Sequence, residues 1–253
     1  MLLVADIGNT RIKWGQCNEM GISRSVSMPD DSDAWETQLT QWRLEGKHNW
    51  VLASVQPART ERLADFLHGR GHAVRVLQRY SELPLALKVE KPEQVGLDRL
   101  LNVLGAKAFI MPGTPSIVVD AGSAVTVDLL DDEGAFAGGS IFPGLRLMAE
   151  ALHEHTALLP LVDMQAAVPL VPAGNTTSAI AAGVHWAVAG GISALVRAIS
   201  LTVPCLEKKM PVFLTGGDAA KIQFDFLDRD LFEYQLRPTL TLEGIRIAAL
   251  AIP

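Results

Sequence analysis

The chain has 253 residues and a formal net charge of −6, and its composition is 49% hydrophobic and 20% charged. This length allows one large domain or two smaller ones with substantial cores. The acidic balance and the lack of a Lys/Arg run argue against a protein that binds nucleic acid or a membrane surface. Two cysteines, Cys17 and Cys205, are too few for a disulfide framework and indicate packing residues in a reducing compartment.

The chain begins with a predicted β-hairpin. An apolar strand leads into Asp6-Ile7-Gly8-Asn9-Thr10-Arg11-Ile12-Lys13, where Asp-x-Gly marks a tight turn before a second strand. Because Asp6 interrupts the apolar run and no basic region precedes it, a signal peptide is not expected. Glycine lets the backbone approach a ligand closely, and the turn's N–H groups and small polar side chains can surround a phosphate. Taken alone, such a motif is more often an ordinary hairpin turn than a phosphate site.

The rest of the first half alternates predicted helices with predicted strands. The helices cover about 34–44 and 60–68, and the strands cover 50–55 and 73–77. This alternation indicates βαβ units and a partly parallel sheet. A loop with two prolines then leads to Gly96-Leu97-Asp98-Arg99 and an amphipathic helix from about 97 to 110.

Pro112-Gly113-Thr114-Pro115 breaks that helix, and we place a boundary there between domains 1–113 and 114–253. A second Asp-x-Gly hairpin follows at once, with Asp120 and Gly122 in the places of Asp6 and Gly8. A repeat with small polar residues at matching places favours phosphate binding over plain turn chemistry. Two such hairpins facing each other across a cleft would clamp a nucleotide–metal complex, with the aspartates holding the metal directly or through water.

Further glycine pairs and helices follow in the second half. Gly138-Gly139 and Gly216-Gly217-Asp218 are interpreted as loops that bring backbone close to a nucleotide, and plain turns explain them equally well. Helices are predicted near 145–153, over 179–196, after 215–218 and over 243–251, with a strand at 212–214. The 179–196 stretch is long enough for a marginal membrane span, but its many small residues favour a buried helix.

Four motifs come in one order: Asp-Ile-Gly-Asn-Thr at 6–10, Gly-Leu-Asp-Arg at 96–99, Asp-Ala-Gly-Ser-Ala at 120–124 and Gly-Gly-x-x-x-Pro-Gly at 138–144. In this order they resemble type III pantothenate kinases, the Bvg accessory factor family of the acetate kinase, sugar kinase, Hsp70 and actin superfamily. The resemblance covers essentially the whole chain. It implies an α/β fold of two duplicated ribonuclease H-like (actin-like ATPase) domains with a nucleotide cleft between them. It also implies ATP-dependent phosphorylation of pantothenate to 4'-phosphopantothenate, the first step of coenzyme A biosynthesis.

The resemblance also implies roles for single residues. Asp98 would be the general base that accepts the proton of the attacking hydroxyl. Asp6 would hold Mg²⁺ largely through water, and Asp120 a monovalent cation, K⁺ or NH₄⁺. The residues implied to bind ATP are Asp6, Ile7, Gly8, Asn9, Thr10, Arg11, Ile12, Lys13 and Ser123. Those implied to bind the substrate are Val89, Gly96, Leu97, Asp98, Arg99 and Thr176.

Simpler explanations stay open for several of these residues. Asp98 is also well placed to stabilise a helix N-terminus, and Arg99 to form a structural ion pair. Asn175 and Thr176 precede an apolar helix and are typical of a helix cap. Val89 stands where the family usually has a tyrosine, and a valine cannot donate the phenolic hydrogen bond. With valine at this position, either weaker pantothenate binding or a local shift of the loop is expected.

The same resemblance implies a cytoplasmic homodimer with no nucleic-acid or membrane partner. Two alternatives remain at this point. One is a kinase of the same superfamily that acts on another small hydroxyl acceptor, which the exchange at Val89 supports. The other is a non-enzymatic regulatory accessory factor, against which the intact Asp6, Asp98 and Asp120 speak.

Overall fold

The structure, a computed structural model, describes residues 1–164, 170–203, 209–222 and 230–251. The chain divides into two compact units, Met1–Phe109 with Thr239–Pro253 and Ile110–Pro238. Each unit contains a five-stranded mixed sheet accompanied by helices, which confirms the predicted α/β class.

The first sheet has the strand order β3-β2-β1-β4-β5. Its strands are β1 (Leu2–Ile7), β2 (Ile12–Asn18), β3 (Gly21–Met28), β4 (Asn49–Ser54) and β5 (Ala73–Leu77). β1 pairs antiparallel with β2 and parallel with β4, because a short turn joins the first pair while α1 (Ser32–Gln41) lies before β4. A second helix, α2 (Pro57–His68), connects β4 to the parallel strand β5.

Tryptophans form much of the first core. Trp14, Trp35 and Trp50 are fully buried, and the rings of Trp14 and Trp50 meet edge to face with centroids 4.8 Å apart. Trp42 packs against Trp14 at 6.5 Å. These four tryptophans are therefore packing residues, whereas Trp186 lies partly exposed on a helix of the second unit.

The second sheet repeats the first. Its order is β10-β9-β6-β7-β8, so the strand that precedes Asp-x-Gly is again central, antiparallel to the next strand and parallel to a later one. The strands are β6 (Ser116–Ala121), β7 (Ala124–Leu130), β8 (Phe136–Pro143), β9 (Met210–Thr215) and β10 (Phe232–Leu236). This shared topology is the structural counterpart of the motif repeat in the sequence.

Two helices accompany the second sheet, α4 (Leu145–Glu154) and α5 (Thr176–Ser200). By length and composition α5 could cross a membrane, and 44% of its most apolar stretch is buried. The buried positions recur every four residues and join the core of the sheet: Ile180, Val184, Val188, Ile192 and Val196. A helix buried along one continuous face is the core helix that its small-residue composition predicted.

The closing helix α6 (Leu240–Ala251) belongs to the first unit, whereas the sequence analysis placed it in a domain 114–253. It packs against α3 (Leu97–Ala106) with the backbones in close contact, since a Cβ on Gly244 would lie 1.9 Å from the carbonyl oxygen of Leu101. Thr241 also donates a buried hydrogen bond of 2.7 Å to Asn102. The sequence periodicity of a helix does not reveal which sheet it packs on, so this placement had no signal in the linear pattern.

One loop prediction is wrong, and one predicted helix is met only by a short 3-10 turn in the described residues. Gly138 and Gly139 lie inside β8, where Gly139 pairs with Asp128 and a Cβ would approach Asp128 Oδ1 to 2.2 Å. These glycines therefore allow close strand pairing and do not form a loop. The segment after Thr215 begins with a single 3-10 turn, Ala219–Lys221, and residues 223–229 of the predicted helix lie outside the described residues.

Candidate active site

The first Asp-x-Gly motif forms an open four-residue connection, residues 8–11, which we call the first turn. The N–H of Gly8 donates to the carbonyl of Arg11 at 3.1 Å, and Asn9 and Thr10 are exposed. Asp6 at the end of β1 pairs with Lys13 on β2, and paired residues present their side chains on the same face of a sheet. A carboxylate and an amine thus flank an accessible turn, as the phosphate-binding prediction requires.

Side chains from the start of α2 support this turn. Gln56 donates a hydrogen bond to Asn9 Oδ1, and Arg59 donates to the carbonyls of Gly8 and Asn9. The sequence analysis did not single out Gln56 or Arg59. No motif spacing connects them to the turn, because the parallel pairing of β1 with β4 brings the two segments together.

Gly96-Leu97-Asp98-Arg99 forms the beginning of α3. Gly96 is the N-cap residue, and Asp98 Oδ1 accepts the N–H of Arg99 at 2.9 Å. A Cβ at residue 96 would lie 2.5 Å from that oxygen, so the folded-back carboxylate requires glycine there. Asp98 stabilises the helix N-terminus with one oxygen, and the other makes no hydrogen bond within the described part of the chain. The structural explanation and a role as base are therefore compatible.

The second Asp-x-Gly motif forms a shorter connection, residues 122–123, which we call the second turn. Gly122 donates to the carbonyl of Ala124 at 3.0 Å, and the carbonyl of Ser123 accepts the N–H of Gly144 at 2.9 Å. A Cβ on Gly144 would lie 2.1 Å from the carbonyl oxygen of Gly122. The Pro-Gly pair that precedes α4 thus lets the helix begin directly on the turn that carries Ser123.

Hydroxyl groups flank Asp120 on both neighbouring strands. Asp120 pairs with Thr126 on β7 and with Thr215 on β9, so all three side chains share one face of the sheet. The hydroxyl oxygens of both threonines are buried and make no hydrogen bond to any residue that the structure describes. Gly216 follows with φ +96°, and a Cβ there would lie 2.5 Å from Asp120 Oδ1. Neither threonine was predicted from the sequence, and for Thr215 no signal was available, because its pairing with Asp120 joins distant segments of the chain.

Thr176 is the first residue of α5. Asn175 is its N-cap, and Asn175 Oδ1 accepts the N–H of Ser178 at 2.9 Å, which confirms the helix-cap explanation of this pair. Both residues line an apolar groove of about 920 Å³ between α4 and α5, where Met148 and Leu152 form part of the wall. Thr176 therefore faces a cavity while its neighbour caps the helix.

Other chemistry has little support in the described ranges. Burial raises the pKa of the Cys17 thiol to about 12, which keeps it protonated and unreactive at neutral pH. Cys205 lies outside the described residues. Within the residues that the structure describes, no three His, Cys, Asp or Glu side chains form a metal-binding group. The protonated thiol argues against nucleophilic chemistry by Cys17. The first and second turns therefore remain the main candidates for the functional site.

The predicted residues fall into two sets. Asp6–Lys13, the half-buried Val89 and Gly96–Arg99 lie in the first unit, whereas Asp120, Ser123 and Thr176 lie in the second. Binding of one nucleotide by both turns stays a prediction.

Known proteins resemble the chain over almost its whole length. A family model described as type III pantothenate kinase matches residues 2–198. The type III pantothenate kinase of Caulobacter vibrioides is 38% identical over 91% of this chain and 93% of its own. The one from Moorella thermoacetica is 30% identical over 98% of both chains.

Solved structures show the fold. The activator of the 2-hydroxyisocaproyl-CoA dehydratase from Clostridium difficile, with bound ADPNP, has a TM-score of 0.55 at 16% identity, covering 98% of this chain and 93% of that one. MreB5 of Spiroplasma citri bound to AMPPNP has a TM-score of 0.51 at 12% identity, covering 97% and 95%. These neighbours confirm the actin-like ATPase fold. The family model that matches residues 2–198 and the relative that is 38% identical show that the chain belongs to the type III pantothenate kinase family.

Proposed function

We propose that the protein transfers the γ-phosphate of ATP to the primary hydroxyl of pantothenate, giving 4'-phosphopantothenate in the first step of coenzyme A biosynthesis. The observation that carries this proposal is the full-length match to the family, with the Asp-x-Gly turns and Gly-Leu-Asp-Arg in place. Phosphoryl transfer requires mainly positioning and charge neutralisation from the protein, and both turns offer groups for it.

The first turn would hold the ATP phosphates. Asn9 and Thr10 offer exposed groups there, and Lys13 adds a positive charge beside Asp6. A single carboxylate suits Mg²⁺, which keeps most of its waters and is commonly held by one or two carboxylates plus substrate phosphates. When bound, Mg²⁺ neutralises phosphate charge. Asp6 would hold it, and Ser123 on the second turn would contact phosphate.

Asp98 would act as the general base. One of its oxygens is held by the N–H of Arg99, which fixes the carboxylate, and the other is available for a substrate hydroxyl. A carboxylate in this arrangement can orient the hydroxyl and accept its proton as the bond to phosphorus forms. The residues that we propose to bind the substrate are Val89, Gly96, Leu97, Arg99 and Thr176.

Asp120 would hold a monovalent cation such as K⁺ or NH₄⁺. The buried hydroxyl oxygens of Thr126 and Thr215 lie on the same sheet face and have no hydrogen-bond partner among the described residues. A buried oxygen without a partner costs free energy, and a bound cation would offset that cost. The donor set of one carboxylate and two neutral oxygens therefore fits a singly charged ion.

We further propose a cytoplasmic homodimer with the pantothenate pocket near the subunit interface, as the family resemblance implies. Light scattering coupled to size exclusion should give the mass of two chains of 27.3 kDa. A mass of one chain at micromolar concentration would contradict the dimer without affecting the proposed reaction.

The proposed reaction is tested by ADP release from the purified protein with Mg-ATP and K⁺, with and without pantothenate. We expect release that depends on pantothenate and a product whose mass has increased by one phosphoryl group. Release driven only by other small alcohols would instead identify a different kinase of the superfamily, the alternative that Val89 supports. No release with any acceptor, from a folded protein, would favour a regulatory protein.

A further inference from the structure

We propose that Arg59 is a positioning residue for ATP. It holds the first turn so that the backbone N–H groups of Asn9 and Thr10 point at the phosphates. The proposal rests on the proposed role of residues 6–13 as the ATP site. It adds a residue from a separate helix, α2, whose position had no part in the motif.

The contacts of Arg59 converge on the turn. Its Nη1 donates to the carbonyl of Gly8 and, at 2.8 Å, to the carbonyl of Asn9. Its Nε donates to Asp30 Oδ2 at 2.8 Å, and only 17% of the arginine side chain and 15% of the Asp30 side chain are exposed. Asp30 therefore fixes the guanidinium in the orientation that reaches both carbonyls.

The geometry of the peptide bond determines where the N–H groups then point. In a planar trans peptide, the carbonyl of one residue and the N–H of the next point in opposite directions. Because the carbonyls of Gly8 and Asn9 both face Arg59, the N–H groups of Asn9 and Thr10 face away from it. In the described structure these two N–H groups have no backbone acceptor, and both residues are exposed. Two successive free N–H groups on one side of a turn form an anion-binding concavity.

The charge of Arg59 acts in the same direction. A guanidinium bound to the carbonyl side of two peptides polarises them and strengthens their N–H groups as donors. The neighbouring Arg62 also donates to Asp30 Oδ2, at 3.2 Å, and lies over the ring of Trp35. However, 58% of its side chain is exposed, and it makes no hydrogen bond to the first turn in the described structure. Arg62 is on the same helix and carries the same charge, so it provides a matched control.

Four variants test the proposal: Arg59→Met, Arg59→Lys, Arg62→Met and Thr10→Val, with steady-state kinetics for both substrates and direct titration of Mg-ATP binding. Arg59→Met should raise KM and Kd for ATP about tenfold to a hundredfold, because two charge-assisted hydrogen bonds are lost. It should change kcat and the KM for pantothenate by no more than about twofold, since only ATP positioning is affected. Arg59→Lys should recover part of the affinity, and Arg62→Met should behave like the unchanged protein.

The outcomes separate this proposal from the site on which it rests. Unchanged ATP affinity in Arg59→Met, with a clear loss in Thr10→Val, would overturn the role of Arg59 and leave the ATP site intact. Unchanged affinity in both variants would overturn the site and the positioning role together. A fall of kcat and of melting temperature, together with a rise of both KM values, in Arg59→Met would show that the arginine is merely structural. If Arg59→Met does not fold, the ATP affinities of Arg59→Lys and Arg62→Lys are compared instead. The proposal predicts weaker ATP binding in Arg59→Lys, and equal affinities would contradict it.

Discussion

The two Asp-x-Gly turns start from the same strand arrangement but are supported by different means. The first turn has four residues, and side chains of Arg59 and Gln56 hold it. The second has two residues, and backbone holds it, with Gly144 donating to Ser123 and Gly216 packed against Ala121. The two copies of the fold therefore share the same strand order, while different contacts hold the turn in each copy. Substitutions should therefore affect the two turns differently.

The largest expected effect is on the second turn. Gly216→Ala places a Cβ 2.3 Å from the carbonyl oxygen of Ala121, which is a steric clash. Residue 216 also has φ +96°, a backbone conformation that alanine adopts only with strain. We expect a loss of about 3 kcal/mol or more in the free energy of unfolding, measured by urea denaturation. Gly217→Ala, where a Cβ meets no atom within 4 Å, should stay within about 0.5 kcal/mol. Equal stabilities for the two variants would contradict backbone support.

A smaller effect is expected when the hydroxyl of Thr215, which lies beside Asp120, is removed. Thr215→Val removes a fully buried oxygen while keeping the side-chain shape, so the fold should persist. Loss of one neutral ligand should raise the K⁺ concentration needed for half-maximal activity by roughly tenfold. The rise in melting temperature with KCl relative to choline chloride should shrink accordingly. An unchanged K⁺ response would remove Thr215 from the cation site, and no K⁺ response in the unchanged protein would remove the site itself.

The first turn should tolerate a methyl group better than the second. A Cβ on Gly8 would lie 3.3 Å from the carbonyl oxygen of Arg11, a contact that a small shift relieves. Gly8→Ala should therefore reduce the free energy of unfolding by about 1 kcal/mol or less. Measured beside Gly216→Ala under the same conditions, it tests the comparison directly. A loss as large as that of Gly216→Ala would show that the first turn is equally constrained.

The smallest effect concerns one buried histidine in each unit. Burial lowers the pKa of His72, with a further contribution from His48 and Arg70, and burial alone lowers the pKa of His185. A histidine with a lowered folded-state pKa binds its proton in the unfolded chain first, so stability falls as pH drops below the unfolded pKa of about 6.5.

This pH effect can be assigned by substitution. Between about pH 7.5 and pH 5.5, the unchanged protein should lose free energy of unfolding more steeply than His185→Leu does. Identical slopes for the unchanged protein and His185→Leu would show that His185 does not contribute.

Much of this architecture was predictable because it depends on local patterns. The strand Ala73–Leu77 and the start of α3 at Leu97 lie where the hydrophobic periodicity placed them. The repeat of Asp-x-Gly predicted the duplicated sheets, since a motif and its flanking strands are contiguous in sequence. Strand β3 was not predicted, because its polar Ser23-Arg24-Ser25 run gives little alternation.

The remaining features depend on contacts between distant segments. Arg59 reaches the first turn only through the pairing of β1 with β4, and Thr215 reaches Asp120 only through the pairing of β6 with β9. Gly139 has the sequence context of a loop and the structural role of a close strand contact with Asp128. One sequence contains no register information, so such tertiary neighbours become visible only in the structure.

The most direct test of the proposed reaction is the rate of pantothenate-dependent ADP release by Asp98→Asn. Asparagine keeps an oxygen to accept the N–H of Arg99, so the start of α3 should be preserved and the melting temperature unchanged. Without a carboxylate to accept the proton, kcat should fall about 10²- to 10⁴-fold while ATP binding persists. Full activity in the folded variant would contradict Asp98 as the base and with it the mechanism proposed for this kinase.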